Sequence, residues 1–226
     1  KFVCVNIHIK SIPQKDGRMK IQLFVENPIQ TNCWVVIDEE SKESIIIDLG
    51  GGYSKIKNYI QEQGATLKAI LLTHGHFDHI MGIPLMQEGN DNIPVLMNEK
   101  DKLFAENIND MLELFGFENK YPPVKITHFI DENSDLSIGN HKIQVIETPG
   151  HTQGGVCFKI DDLLFTGDTL FAGEVGRCDL PGGNFNDLIN SLKTKLAPLE
   201  GDIRVYPGHG PSTTLKAEKL HNPYFK

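Results

Sequence analysis

Three imidazoles and one carboxylate crowd six consecutive positions, His74-Gly75-His76-Phe77-Asp78-His79. Such side chains, so closely spaced, hold cations: imidazole nitrogen and carboxylate oxygen suit zinc, iron or manganese, and no thiolate stands in the run. In an extended backbone His74, His76 and Asp78 would point to one side. In a tight loop passing into a helix, His74 and His76 grip one ion while Asp78 and His79 reach a second beside it.

Three later segments have the same character: Thr148-Pro149-Gly150-His151-Thr152, Phe165-Thr166-Gly167-Asp168-Thr169 and Tyr206-Pro207-Gly208-His209-Gly210. Each sets one ligand-type residue in a glycine-bearing turn beside an expected strand, and glycine lets the backbone bend sharply and approach an ion. Alone, each is equally well an ordinary turn with one polar residue. With the first run they form a candidate set of seven metal ligands: His74, His76, Asp78, His79, His151, Asp168 and His209.

The elements that must position this set follow from the apolar pattern. Strands are expected over 20–26, 31–38 and 44–48, giving an antiparallel start. A helix runs from Tyr53, with Ile56, Tyr59 and Ile60 on one face, to Gly64. Ala69 to Leu72 is a short strand, and the histidine run begins where it stops. Helices are expected over 80–87 and most of 99–115, with a strand at 93–97 between them. Strands return at 126–130, 141–147, 155–160 and 163–165, then a helix over 185–196 and a last strand near 203–206. This order suggests two packed sheets with helices outside.

Composition narrows the function. The 226 residues, 39% hydrophobic and 23% charged, suit one domain or two closely packed halves. A formal charge of -8 offers no basic footprint, so nucleic acid is not expected as a partner. No apolar run approaches the roughly 20 residues of a bilayer span, so neither is a membrane. Cys4, Cys33, Cys157 and Cys178 form no CxxC pair and read as reduced thiols of a cytoplasmic protein. Lys1 stands where an initiator methionine would, which leaves export open. The oligomeric state is not written in the sequence.

HxHxDH followed by single His, Asp and His turns resembles the metallo-beta-lactamase superfamily, from about Lys20 to the C-terminus. The segments Gly167-Asp168-Thr169-Leu170-Phe171, Gly176-Arg177-Cys178-Asp179-Leu180-Pro181-Gly182-Gly183 and Pro207-Gly208-His209-Gly210-Pro211, with Asn222-Pro223, look like its single-domain glyoxalase II-like branch, relatives of hydroxyacylglutathione hydrolase. The resemblance implies one α/β domain over 1–226, an αββα sandwich with two mixed sheets face to face. It also implies a ligand partition: His74, His76 and His151 for a first metal, Asp78, His79 and His209 for a second, and Asp168 between them. Two zinc ions are implied, alternatively iron or a zinc/iron mixture. The two-domain glyoxalase II enzymes carry a helical C-terminal domain that supplies much of the glutathione pocket, and here the chain stops soon after Asn222-Pro223.

The implied activity is metal-dependent hydrolysis of a small thioester of the hydroxyacylglutathione type by a metal-bridging hydroxide, with Asp78 orienting the water or carrying its proton. The alternative within the same branch is a persulfide dioxygenase using one iron on His74, His151 and Asp168. A non-catalytic metal-binding protein is the third class, disfavoured because structural sites are closed and often use thiolates. Asp48 reads either as a partner for a ligand's outer nitrogen or as a turn residue ahead of Gly50. Arg177 reads either as a clamp on a substrate carboxylate or as a loop-fixing partner of Asp179. Cys178 has no neighbour that would activate it, and Thr73 and Thr152 read as satisfying their own turns.

Overall fold

The computed structural model describes residues 19–89 and 92–226; Cys4 and His8 lie outside them. The first sheet is built from β1 (Met19–Phe24), β2 (Cys33–Asp38), β3 (Glu43–Ile47), β4 (Thr66–Leu71), β5 (Val95–Met97) and β6 (His128–Phe129), side by side in chain order. The hairpins β1/β2 and β2/β3 are antiparallel; β3/β4, β4/β5 and β5/β6 are parallel. The second sheet also follows chain order: β7 (Leu136–Ile138), β8 (His141–Glu147), β9 (Val156–Ile160), β10 (Leu163–Gly167), β11 (Arg204–Pro207) and β12 (Thr213–Thr214). Only β10/β11 is parallel there.

Strand alternation explains the layering. In β2, Trp34 and Val36 face the second sheet while Cys33, Val35 and Ile37 face helices; in β3, Ile45 and Ile47 point inward and Ile46 outward. In the second sheet Val156, Phe158, Leu163 and Phe165 meet the first, and Cys157 and Leu164 face away. Strands covered on both faces read as continuous apolar runs. The outer face of the first sheet is covered by α1 (Tyr53–Glu62), α3 (Ile83–Glu88) and α5 (Ile108–Leu114), through Ile56, Ile60, Met86, Ile108 and Met111. Leu192, Leu196 and Leu215 cover the second, carried by α6 (Phe185–Ser191) with its continuation and by α7 (Leu215–His221). The architecture is the αββα sandwich of two mixed sheets. No helix of the described residues is long and apolar enough to cross a membrane.

Several boundaries differ from expectation. The helix expected over 80–87 is two pieces, α2 (Phe77–Ile80) and α3, broken at Gly82. There the backbone lies so close to Leu49 and Gly51 that a Cβ would sit 2.8 Å from the Leu49 carbonyl oxygen. The helix expected over 99–115 is a 3-10 turn (Glu99–Asp101) followed by α4 (Lys102–Glu106) and α5, split at Asn107, whose side chain caps the Leu103 carbonyl. The helix expected over 185–196 is regular only to Ser191; its last turn widens, with Ala197 N donating to Leu192 O. The strand expected to 48 stops at Ile47, because Asp48 turns to a φ of 59°. The short strands β7 and β12 were not expected, since three and two residues are too few to establish a strand period.

Candidate metal centre

All seven ligand-type residues lie where strands end. β4 stops at Leu71, a loop carries His74, and His76 leads into the single turn of α2, which holds Asp78 and His79. His151 follows β8, Asp168 follows β10 and His209 follows β11. Two backbone bonds close the sheet ends on each other: Val156 N donates to Thr73 O at 2.8 Å and Asn32 N to Gly208 O at 2.7 Å. Gly208 is obligatory, since an added Cβ would lie 2.2 Å from Asp168 Oδ1.

The ligand atoms gather in three overlapping groups, each within 4.8 Å: His74, His76 and His151; Asp78, His79 and His209; and His74, His79 and Asp168. Asp168 touches both sides of the cluster. Its Oδ1 is 3.4 Å from His79 Nε2, and its Oδ2 is 3.5 Å from both His151 Nε2 and His209 Nε2. Asp78 Oδ2 lies 3.2 Å from His209 Nε2 and 3.4 Å from His79 Nε2.

Hydrogen bonds on the far nitrogens aim the rings. His79 Nδ1 meets Asp48 Oδ2 at 2.8 Å, and His151 Nδ1 meets the Arg177 carbonyl at 2.6 Å. In the neutral ring a nitrogen that donates there leaves the lone pair of Nε2 facing the cluster, the arrangement that metal-binding imidazoles use. Thr73 does more than satisfy its turn: its hydroxyl donates to Asp48 Oδ2 at 2.8 Å and stands 3.0 Å from His74 Nδ1. Thr152 likewise donates away from its turn, to Asp101.

Electrostatics divide the imidazoles. Burial, together with the neighbouring rings, pushes His74 well below the ordinary histidine range and His76 down to about 3, so both are neutral at pH 7. Burial opposes charge on His79 too, but Asp78, Asp168 and Asp48 outweigh it and raise His79 well above that range; His209 is raised by Asp78 and Asp168 against its own desolvation. Burial works against the Asp78 carboxylate, and His79 and His209 overcome it, holding it at about 2; Asp168 is lowered further for the same reason.

The donor set fits cations. His74 Nε2, His76 Nε2, His79 Nε2 and Asp168 Oδ1 are buried without a hydrogen-bond partner, four of the seven such atoms among the described residues. A buried polar atom left unpaired costs roughly 1–3 kcal/mol, so a concentration of them in one place points to a binding partner. Imidazoles and carboxylates in overlapping triads make a binuclear site suited to zinc or iron.

Arg177 and Cys178 stand apart. The Arg177 guanidinium grips Asp179 through two 2.7 Å bonds in an exposed pair, and only its carbonyl reaches the cluster. The Cys178 thiol rests on the Gly176 carbonyl, its pKa raised by burial. His141 pairs with Asp161 and His128 contacts Thr127, both away from the site. Two contributors had no sequence signal. Thr31 donates to Asp78 Oδ2 at 2.7 Å, and Asp101, 1% exposed, accepts from both loops around the histidines.

Comparison with known proteins fits this geometry. Residues 27–209 match the family model described as the metallo-beta-lactamase superfamily. The chain is 36% identical over 209 residues, 91% of its length and 98% of the relative's, to "Hydroxyacylglutathione hydrolase GloC" of Haemophilus influenzae. Among solved structures, "BLEG-1 B3 metallo-beta-lactamase" superposes with a TM-score of 0.83 at 34% identity, covering 91% of this chain and 99% of that one. "TTHA1623 in a di-iron-bound form" superposes with a TM-score of 0.78 at 36% identity, covering 89% and 98%.

Proposed function

The chain belongs to the metallo-beta-lactamase superfamily, and from that premise we propose that it is a dinuclear metallo-hydrolase of the glyoxalase II-like branch, cleaving a small thioester of the hydroxyacylglutathione type. A catalytic metallo-hydrolase accounts for the clustered His/Asp ligands; the thioester is the step beyond. One observation carries the reading. Three imidazole nitrogens and a carboxylate oxygen, buried without a hydrogen-bond partner, belong to residues of one ligand cluster.

In this reading His74, His76 and His151 hold one cation, Asp78, His79 and His209 the other, and Asp168 serves both. Two divalent cations bound there supply Lewis-acid polarisation of the carbonyl and lower the pKa of water from roughly 16 to about 7. The chain's own groups do the rest. Asp48 and the Arg177 carbonyl keep His79 and His151 turned toward the cluster. Thr31 fixes Asp78, the group assigned to orient the attacking water or take its proton. Phe104 packs edge-on against His76 and Phe171 against His209, giving the cluster two apolar flanks. The relative named as a hydroxyacylglutathione hydrolase supports hydrolysis over oxygen chemistry.

Elemental analysis of protein purified without added metal, followed by a thioester panel with free-thiol detection, tests the reading. Two metals per chain and thiol release are expected. One iron per chain with oxygen uptake on glutathione persulfide would replace it with a dioxygenase.

A further inference from the structure

Asp101 lies in the 3-10 turn ahead of α4, outside every ligand motif, and is 1% exposed. Its carboxylate accepts three hydrogen bonds, all from the loops around the first triad. Oδ2 takes Gly75 N at 2.9 Å and Thr152 Oγ1 at 2.7 Å; Oδ1 takes Gly154 N at 2.7 Å. Gly75 separates His74 from His76, and Thr152 follows His151. One side chain therefore ties a loop at the end of the first sheet to a loop at the end of the second.

A second observation is independent of those bonds. A Cβ on Gly75 would sit 2.9 Å from the Asp101 carbonyl oxygen, and one on Gly154 would sit 2.6 Å from Asp101 Cγ. Both positions are glycine where this segment presses against them. The second triad is braced differently, by Thr31 on Asp78 and Asp48 on His79.

We infer that Asp101 is a positioning residue for the first metal alone, setting the spacing between the His74/His76 loop and the His151 loop. The inference rests on the dinuclear reading and adds a residue that touches neither ion. The two carboxylate oxygens between them accept from all three donors at once. An amide in its place meets at least one of them with a donor of its own, and the two loops drift apart.

The test is zinc affinity measured by chelator competition on metal-free protein. His209→Ala leaves only the first triad intact and His76→Ala only the second. Adding Asp101→Asn is expected to weaken zinc about tenfold or more in the His209→Ala background, the range typical of lost outer contacts, and to change it less than about threefold in the His76→Ala background. Equal losses in both backgrounds, or none in either, overturn the assignment. Thr152→Val, which removes one of the three bonds, gives a smaller shift in the same direction and decides the matter if Asp101→Asn does not fold; no shift there also overturns it. Unsubstituted protein that takes up no zinc removes the dinuclear reading itself, and this inference with it.

Discussion

Asp48 Oδ2 stands 2.8 Å from His79 Nδ1, and the same oxygen accepts the Thr73 hydroxyl while Oδ1 accepts the Thr73 backbone N–H. One buried carboxylate thus sets the tautomer of a second-triad imidazole and the path of the loop entering the first. Asp48→Ala should weaken metal binding by about 10–100-fold, more at the Asp78/His79/His209 triad. Competition titration with a chromophoric chelator reads it, and unaltered affinities at both triads would remove Asp48 from the centre.

Gly208→Ala should be far more damaging than a surface alanine. The added methyl meets Asp168 Oδ1 at 2.2 Å and His79 Cε1 at 2.8 Å, so the carboxylate that reaches both triads must move. Turnover is expected to fall by about 100-fold or more, on the scale of misplaced reacting groups. Steady-state kinetics with metal in excess separates this from simple loss of the ions.

The Arg177–Asp179 pair makes a distinguishing prediction. The His151 contact uses the Arg177 carbonyl, which a side-chain substitution spares. If the guanidinium only fixes the loop, Arg177→Ala, Asp179→Ala and the double variant share one small effect on KM. A large rise in KM for Arg177→Ala alone identifies a substrate clamp.

Two buried thiols give a pH dependence of known sign. Burial pushes Cys33 and Cys157 up to about 11 from an ordinary value of 9.0. The folded state therefore holds protons that the unfolded state releases, so their contribution is whole below about pH 9 and is lost as pH rises through about 11. Thermal melts should fall across that window, less so in Cys157→Ala. In the native protein at pH 8 neither thiol should react with an alkylating probe, which mass spectrometry after digestion will show.

What could be read in advance had local spacing to announce it. The run from His74 to His79 and the three Gly-X turns carry their chemistry in neighbouring residues, and strands such as β2 and β10 declare themselves by apolar runs. Thr31 had no such mark, because its partner Asp78 is 47 positions away. Asp101 carries no mark in its own neighbourhood, since two of its donors lie beyond residue 150. Thr73 and Thr152 were read through their own turns for the same reason. The break at Gly82 was hidden because what forces it is the backbone of Leu49 and Gly51, not the sequence around it.

Each sheet is one uninterrupted stretch of chain: β1 to β6 come from residues 19–129 and β7 to β12 from 136–214. The first stretch owns His74, His76, Asp78 and His79; the second owns His151, Asp168 and His209. Neither stretch contains a whole triad. The centre is therefore assembled only when the two stretches pack on each other through the core they share.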